Sequence, residues 1–265
     1  MIRAFAATLA IAVALPAVAS PLAAHRAVYE IDLADASERS GIEGMTGRMV
    51  YDFGGSDCDG YTTSFRFVTR IATGGDERLT DQQTTTFESV EDGLFQFATR
   101  TFVDERPDRD VKGIAEQAGD ETTVALSSPE ERELDLAETA FPTQHMLELL
   151  EAARAGETLF ERDLYDGSDD ADRVLATTAV IGKETAVGDV PEGLPAEAFE
   201  GRSFWPVTIA YYQKDDAVGE AMPLYRIEFD LYDNGITQDI LMDYGDFALK
   251  GTLSEIEMRE TDACE

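Results

Sequence analysis

Apolar and polar side chains alternate with a period of two along most of this chain, and no other feature restricts its fold as much. Tyr29, Ile31 and Leu33 alternate with Glu30 and Asp32, and Met49, Tyr51 and Phe53 with Arg48 and Asp52. Phe65, Phe67 and Ile71 oppose Ser64, Arg66 and Arg70, and Phe95 and Phe97 continue the series. Later, Val207, Ile209 and Tyr211 alternate with Thr208, and Tyr225, Ile227, Phe229 and Leu231 with Arg226, Glu228 and Asp230. Each run reads as a strand with one buried and one wet face, so the chain is mainly β. Asp233-Asn234-Gly235 predicts a hairpin with a type I′ turn, leading into a strand through Ile236, Ile240 and Met242. The last strand starts at Phe247 and Leu249, and its apolar phase slips between Leu253 and Ile256, which predicts a bulge.

One segment departs from this rhythm. Pro142 leads into Met146, Leu149, Leu150 and Ala153 at helical spacing, and Gly156 offers a C-terminal cap, so a helix is expected near 142–155. It is either a linker between two β-domains or a plug against one curved sheet; a stripe this apolar needs a sheet face beneath it, which favours the plug. Polar loops are expected at 104–110, 127–133 and 187–200. None divides the chain convincingly, so 20–265 is expected to be a single domain.

Residues 1–19 read as a secretory signal, with Arg3 as the charged start, an apolar run from Ala4 to Leu15, and Ala17-Val18-Ala19 placing cleavage at Ala19–Ser20. The run is well short of the roughly 20 residues a membrane span needs. No cysteine stands near the cleavage point for a lipid anchor. The exported chain is therefore expected to be soluble and periplasmic, without stable membrane insertion. Export makes the two cysteines, Cys58 and Cys264, an even pair in an oxidising compartment, read first as a disulfide. Such a bond closes a loop of roughly 200 residues, worth about 5 kcal/mol by chain entropy, and brings the last strand close to the second or third. The alternative, a reactive thiol, fits poorly beside Asp57, Asp59, Asp262 and Glu265, which raise a thiol pKa.

The 54 acidic and 21 basic side chains give a net charge of −33, which becomes −34 once Arg3 is removed. That field argues against nucleic acid and anionic membrane surfaces as partners, and it favours a soluble monomer. Two histidines, His25 and His145, and two cysteines are too few for most structural zinc sites. No Gly-x-Ser-x-Gly elbow is present, and Ser203 reads as the start of a strand. Abundant carboxylates are no signal of a glycosidase pair. The acidic run 163–172 comes closest to a metal loop. It lacks the glycine and glutamate an EF-hand requires and reads as a turn, with cation binding left open. Fourteen Phe, nine Tyr and Trp205 could line a concave apolar surface, or simply fill a core.

Several stretches together resemble the periplasmic cell-envelope integrity protein EipB family. They are Ala24-His25-Arg26-Ala27-Val28-Tyr29, Gly47-Arg48-Met49-Val50-Tyr51-Asp52-Phe53, Cys58-Asp59-Gly60-Tyr61, Leu164-Tyr165-Asp166-Gly167-Ser168-Asp169 and the terminal Cys264. The resemblance implies a spiral-like, broken antiparallel β-barrel of about fourteen strands with one central helix, similar to the LolA, LolB and RseB type of periplasmic fold. It implies a structural disulfide between Cys58 and Cys264. It also implies a non-enzymatic part in envelope integrity, through periplasmic proteins including one with tetratricopeptide repeats. It carries over no catalytic residue, cofactor or metal ligand. A carrier or sensor holding a lipid or lipoprotein acyl chain is the second reading, and an uncharacterised hydrolase the third.

Overall fold

The alternating runs become the inner and outer faces of one antiparallel sheet in a computed structural model, which describes residues 22–188, 190, 192–214 and 222–260. Eight strands come first: β1 (His25–Ala36), β2 (Ile42–Ser56), β3 (Gly60–Thr73), β4 (Asp76–Ser89), β5 (Leu94–Val103), β6 (Arg106–Ala118), β7 (Glu121–Ser128) and β8 (Arg132–Ala137). The helix α1 (Pro142–Ala155) follows. After it come β9 (Leu159–Leu164), β10 (Leu175–Ile181), the two-residue β11 (Thr185–Ala186), β12 (Ser203–Gln213), β13 (Tyr225–Tyr232), β14 (Thr237–Asp243) and β15 (Phe247–Met258).

Fourteen of these strands lie on one hydrogen-bonded path, β8-β7-β6-β5-β4-β3-β2-β1-β15-β14-β13-β12-β10-β9, with β11 pairing off it against β12. The sequence ends of the sheet meet in the middle of the path, where β1 pairs β15. The path's own ends, β8 and β9, are adjacent in sequence to the helix. Instead of a full ladder, a single parallel bridge joins Ala140 to Leu164, through Ala140 N–H to Asp163 O and Tyr165 N–H to Ala140 O, both 2.9 Å. The curved sheet thus closes through one contact, as a broken barrel.

The helix is a plug. Leu149, Leu150, Ala152 and Ala153 join a core with Tyr29, Phe53 and Tyr61 from the first strands and Ala179, Trp205, Val207 and Leu231 from the later ones. His145 and Thr143 are buried on the same helix, whereas Met146 of the expected stripe is only half-buried. Gly156 adopts φ 79° and caps the helix, with Gly156 N–H on Ala153 O and Glu157 N–H on Ala152 O. A second core, of Phe95, Phe97, Val111, Val124 and Leu126, is covered by Phe141, Tyr165 and Ala171 instead of by the helix.

The expected slip in the last strand is real: Tyr29 pairs Leu253 while Val28 pairs Glu255, leaving Ser254 as the bulged residue. Other expectations are corrected. Asn234 does not adopt positive φ, so the Asn-Gly turn is not type I′. Gly235 alone is left-handed at φ 83°, and the Asn234 side chain accepts Ile236 N–H and donates to Ala198 O. Turns with two successive positive φ values lie instead at Gly74-Gly75, at 57° and 89°, and at Asp104-Glu105, at 49° and 64°; β6 begins directly after the latter, so 104–110 is mostly strand. The stretch 127–133 is likewise strand at both ends. The 187–200 segment is not wholly a surface loop, because Ala198 and Phe199 are buried in the core. The last strand lies beside β1, one strand away from β2; Arg259 just beyond it pairs Asp52 of β2 at 2.5 Å. The signal segment and Cys264 lie outside the described residues.

Candidate functional site

The residue types that commonly carry chemistry are tied into the fold. The His25 ring nitrogen Nδ1 lies 2.7 Å from Ala23 O, and burial lowers the pKa of the ring. His145 sits in the helix with Nε2 at 2.8 Å from Thr177 Oγ1; the Thr177 hydroxyl donates to Arg162 O at 2.7 Å, so the imidazole is the donor to Thr177. Burial, seconded by the Arg162 charge, lowers its pKa to about 4, and the ring is neutral near pH 7. Ser203 opens β12 as expected.

Glu88, at the end of β4, was not singled out by any sequence pattern. It is 1% exposed and accepts Thr143 N–H and Gln144 N–H, each at 2.7 Å, at the N-terminus of α1. Phe141, the helix N-cap, supplies no side-chain cap of its own. A carboxylate from another strand therefore satisfies the open helix donors. Burial pushes the Glu88 pKa up to about 6, against the lowering effect of those bonds.

The acidic run 163–172 is not a tight turn. Tyr165 meets the rings of Phe95 and Phe97 edge-on, at 6.5 and 5.9 Å, and Gly167 lies so close to Phe97 that a Cβ there would fall 2.6 Å from the ring. The loop thus lies on the inner face of β5 to β7. Its acids are spread among basic partners: Asp163 on Lys214 at 2.6 Å, Asp169 on Arg109 at 3.3 Å and on Arg173, Asp170 on Arg109 at 3.7 Å, and Asp172 on Arg132 at 3.9 Å. Among the described residues, no group of three His, Cys, Asp or Glu side chains is arranged to hold a metal.

Burial along the inner face is uneven. On β12 it runs from buried Trp205, Val207 and Ile209 to half-buried Tyr211, and on β13 from buried Leu231 and Phe229 to half-buried Ile227 and Tyr225. On β15 it falls from buried Leu253 and Leu249 to half-buried Phe247, and on β1 from Ile31 to Leu33. The helix fills one end of the interior, and the other end is a solvent-reached mouth. Across from this wall, Phe65, Phe67 and Ile71 of β3 are half-buried, and β4 presents Thr80, Gln82, Thr84 and Thr86. This polar strand also separates the two cores.

Within the 163–172 loop, Asp166 carries a raised pKa, chiefly through burial, although its Oδ1 accepts Ser168 N–H at 2.9 Å. The Tyr211 and Tyr225 phenols are raised above their ordinary range, first by burial and further by the Asp166 charge, so they stay protonated donors. The end positions of two alternating runs marked these tyrosines in the sequence; the inward placement of Asp166 had no such signal. Trp205 is 5% exposed and belongs to the core, at the edge of a separate pocket of about 320 Å³ beside the helix C-terminus. A further pocket of about 330 Å³ lies between Leu194, Gln238 and Leu253.

Comparison with known proteins agrees with this architecture. The Cell envelope integrity protein EipB of Brucella abortus (strain 2308) is 50% identical over 241 residues, 91% of this chain and 85% of that protein. The crystal structure of a beta-barrel-like protein of a domain of unknown function from Brucella abortus superposes with a TM-score of 0.85 at 48% identity, covering 91% of this chain and all of that one. The EipB-like family model matches residues 16–260, and the chain belongs to the EipB-like family.

Proposed function

We propose that this chain is an exported, non-enzymatic periplasmic protein that supports cell-envelope integrity by binding a protein partner at the open mouth of the barrel. The observation that carries the reading is the aromatic wall left half exposed at the end of the interior that the helix does not fill. Tyrosine and phenylalanine are enriched where proteins meet, because they bring large contact area with few rotors to freeze. The name of the Brucella relative supports the envelope role. A bond between Cys58 and Cys264 belongs to the same proposal. Cys58 lies in the β2–β3 turn, Arg259 already reaches Asp52 of β2, and the five residues to Cys264 span up to roughly 17 Å.

The test is capture from chemically cross-linked envelopes with the native chain and with a chain carrying Tyr211→Ala and Tyr225→Ala. A discrete protein recovered with the first and lost with the second is the expected result. The second reading, an acyl chain held in the interior, draws on the half-buried Leu33, Phe67 and Ile71 that face the same space. Native mass spectrometry and lipid extraction of the chain purified from its own periplasm decide it: a stoichiometric lipid favours the carrier and counts against the protein-binding reading.

A further inference from the structure

The curved sheet ends on two strands that pair on one side only. β8 bonds β7 and β9 bonds β10, and the seam between them is crossed, among the described residues, by the single backbone bridge of Ala140 to Leu164. Neighbouring bonds show which residues look into the seam. Ile181 N–H bonds Thr158 O on the β10 side of β9, whereas Ala140 N–H reaches Asp163 O from the seam side. Backbone groups alternate in direction along a strand, so the N–H and C=O of Leu159 and Glu161 point into the seam. On β8, Glu138 N–H bonds Asp120 O on the β7 side, which turns the N–H and C=O of Glu133 and Asp135 into the seam from across it. Among the described residues none of these groups has a backbone partner, and the 165–172 loop hydrogen-bonds to β8 only through the Arg132 side chain.

The side chains along the seam divide between its two faces. Leu134 and Leu136 of β8 and Phe160 of β9 are half-buried against the cores. Glu133, Asp135 and Glu161 are exposed on the outer face, and no cation pairs with them among the described residues, although nearby Glu138 and Asp163 hold Arg162 and Lys214. Leu159 is 52% exposed, opposite Val180 at 56%. An open strand edge is a template for one more strand, whose backbone bonds give affinity and whose alternate side chains give choice. We infer that the seam takes an extended segment of a partner protein, added antiparallel to β9 on Leu159 and Glu161, with apolar side chains turned inward and Lys or Arg turned outward. Inward, such a strand meets Phe160, with Leu134 and Leu136 across the seam. Outward, its cations face the unpaired carboxylates and their aliphatic stems cover Leu159. The same acids repel a second copy of a chain whose net charge is −33. This docking place is separate from the mouth and goes beyond the reading given for it.

The test adds fluorescent peptides to the exported chain: one alternating Leu and Lys, the same peptide with its Lys amides N-methylated, and one alternating Leu and Glu. Binding is read by anisotropy and by NMR amide exchange of the chain. The Leu-Lys peptide should bind one-to-one and slow exchange at Leu159 and Glu161 by about tenfold or more. Its Lys residues lie opposite Leu159 and Glu161, so N-methylation removes the donors that β9 accepts and should weaken binding roughly tenfold, while the Glu peptide should not bind. Glu133→Lys, Asp135→Lys and Glu161→Lys together should also weaken it roughly tenfold. Glu38→Lys, Glu43→Lys and Asp76→Lys, an equal change of charge at exposed sites elsewhere on the sheet, should stay within about threefold. Equal binding by the N-methylated peptide, or equal weakening by the two triple variants, overturns the proposal in favour of bulk attraction. Protection that leaves out Leu159 and Glu161 overturns it too. The N-methylated peptide needs no variant of the chain, so the test holds whether or not the triple variants fold. In envelope capture, a partner lost with Tyr211→Ala and Tyr225→Ala but recovered undiminished with the seam variant leaves the mouth reading standing and ends this one.

Discussion

Replacing Glu88 by glutamine separates two effects that act on the same carboxylate with opposite sign. As a cap, Glu88 accepts two helix N–H groups at 2.7 Å; glutamine offers one acceptor oxygen, and an unsatisfied buried donor costs about 1–3 kcal/mol. By that argument alone the variant is destabilised at neutral pH. As a buried charge, however, Glu88 has its pKa pushed up from 4.5 to about 6, with both N–H bonds already opposing that rise. The native state therefore holds the proton more tightly than the unfolded state. Its contribution to stability is complete below about pH 4.5 and is lost as pH rises through about 6, a loss of about 2 kcal/mol. Glutamine resembles the protonated acid in shape and in its single good acceptor. Glu88→Gln is thus expected to match wild type near pH 4.5 and to exceed it by about 2 kcal/mol near pH 7.5. Urea unfolding at both pH values, followed by the single Trp205, which is 5% exposed in the native chain, measures the difference directly. A variant less stable than wild type at pH 7.5 would refute the reasoning and give the cap the larger share.

His145 has the opposite linkage. Its pKa falls from 6.5 to about 4, so its contribution is present above pH 6.5 and lost as pH falls through about 4, and His145→Gln should flatten the acid limb of the stability curve by about 3 kcal/mol in urea titrations. Gly167→Val places a Cβ about 2.6 Å from the Phe97 ring at φ 65°, and is expected to cost about 2–5 kcal/mol and to expose the 165–172 loop to limited proteolysis. Non-reducing peptide mapping should recover a Cys58–Cys264 cross-linked peptide, and Cys264→Ser should lower stability by up to about 5 kcal/mol; free thiols at both positions would end that assignment.

What the sequence reveals of this fold follows contrast between faces. β13 alternates strictly because one of its faces meets core and the other water, and its register could be read directly. β4 could not be read in this way. Its inner face, Thr80, Gln82, Thr84 and Thr86, looks into the gap between two apolar cores, and its outer face carries Asp81, Gln83 and Thr85, so both faces are polar. Glu88 is hidden for the same reason, one more polar residue in a polar strand, until the helix N-terminus is placed against it. The Asn234-Gly235 pair predicts positive φ at both positions from local chemistry. In the fold, the Asn234 amide is committed to Ala198 O and Ile236 N–H, and tertiary contact overrides the local preference.

The acidic loop carries the same lesson to the site. Read along the chain, 163–172 is a charge run, and charge runs usually line a solvated surface. In three dimensions its residues divide by task. Tyr165, Gly167 and Ala171 turn inwards and roof the second core, taking the place that the helix holds over the first. Asp169, Asp170 and Asp172 turn towards Arg109, Arg132 and Arg173, exposed pairs that contribute little energy singly but hold the loop along the inner face. Asp169 and Ala171 adopt left-handed φ values of 50° and 53°, and these arginine contacts and the buried Ala171 hold the backbone there. Asp166 has no basic partner among the described residues; its Oδ1 accepts Ser168 N–H, and burial raises its pKa. In the sequence it is one aspartate among many; what distinguishes it is the burial that the inward turn of the loop gives it.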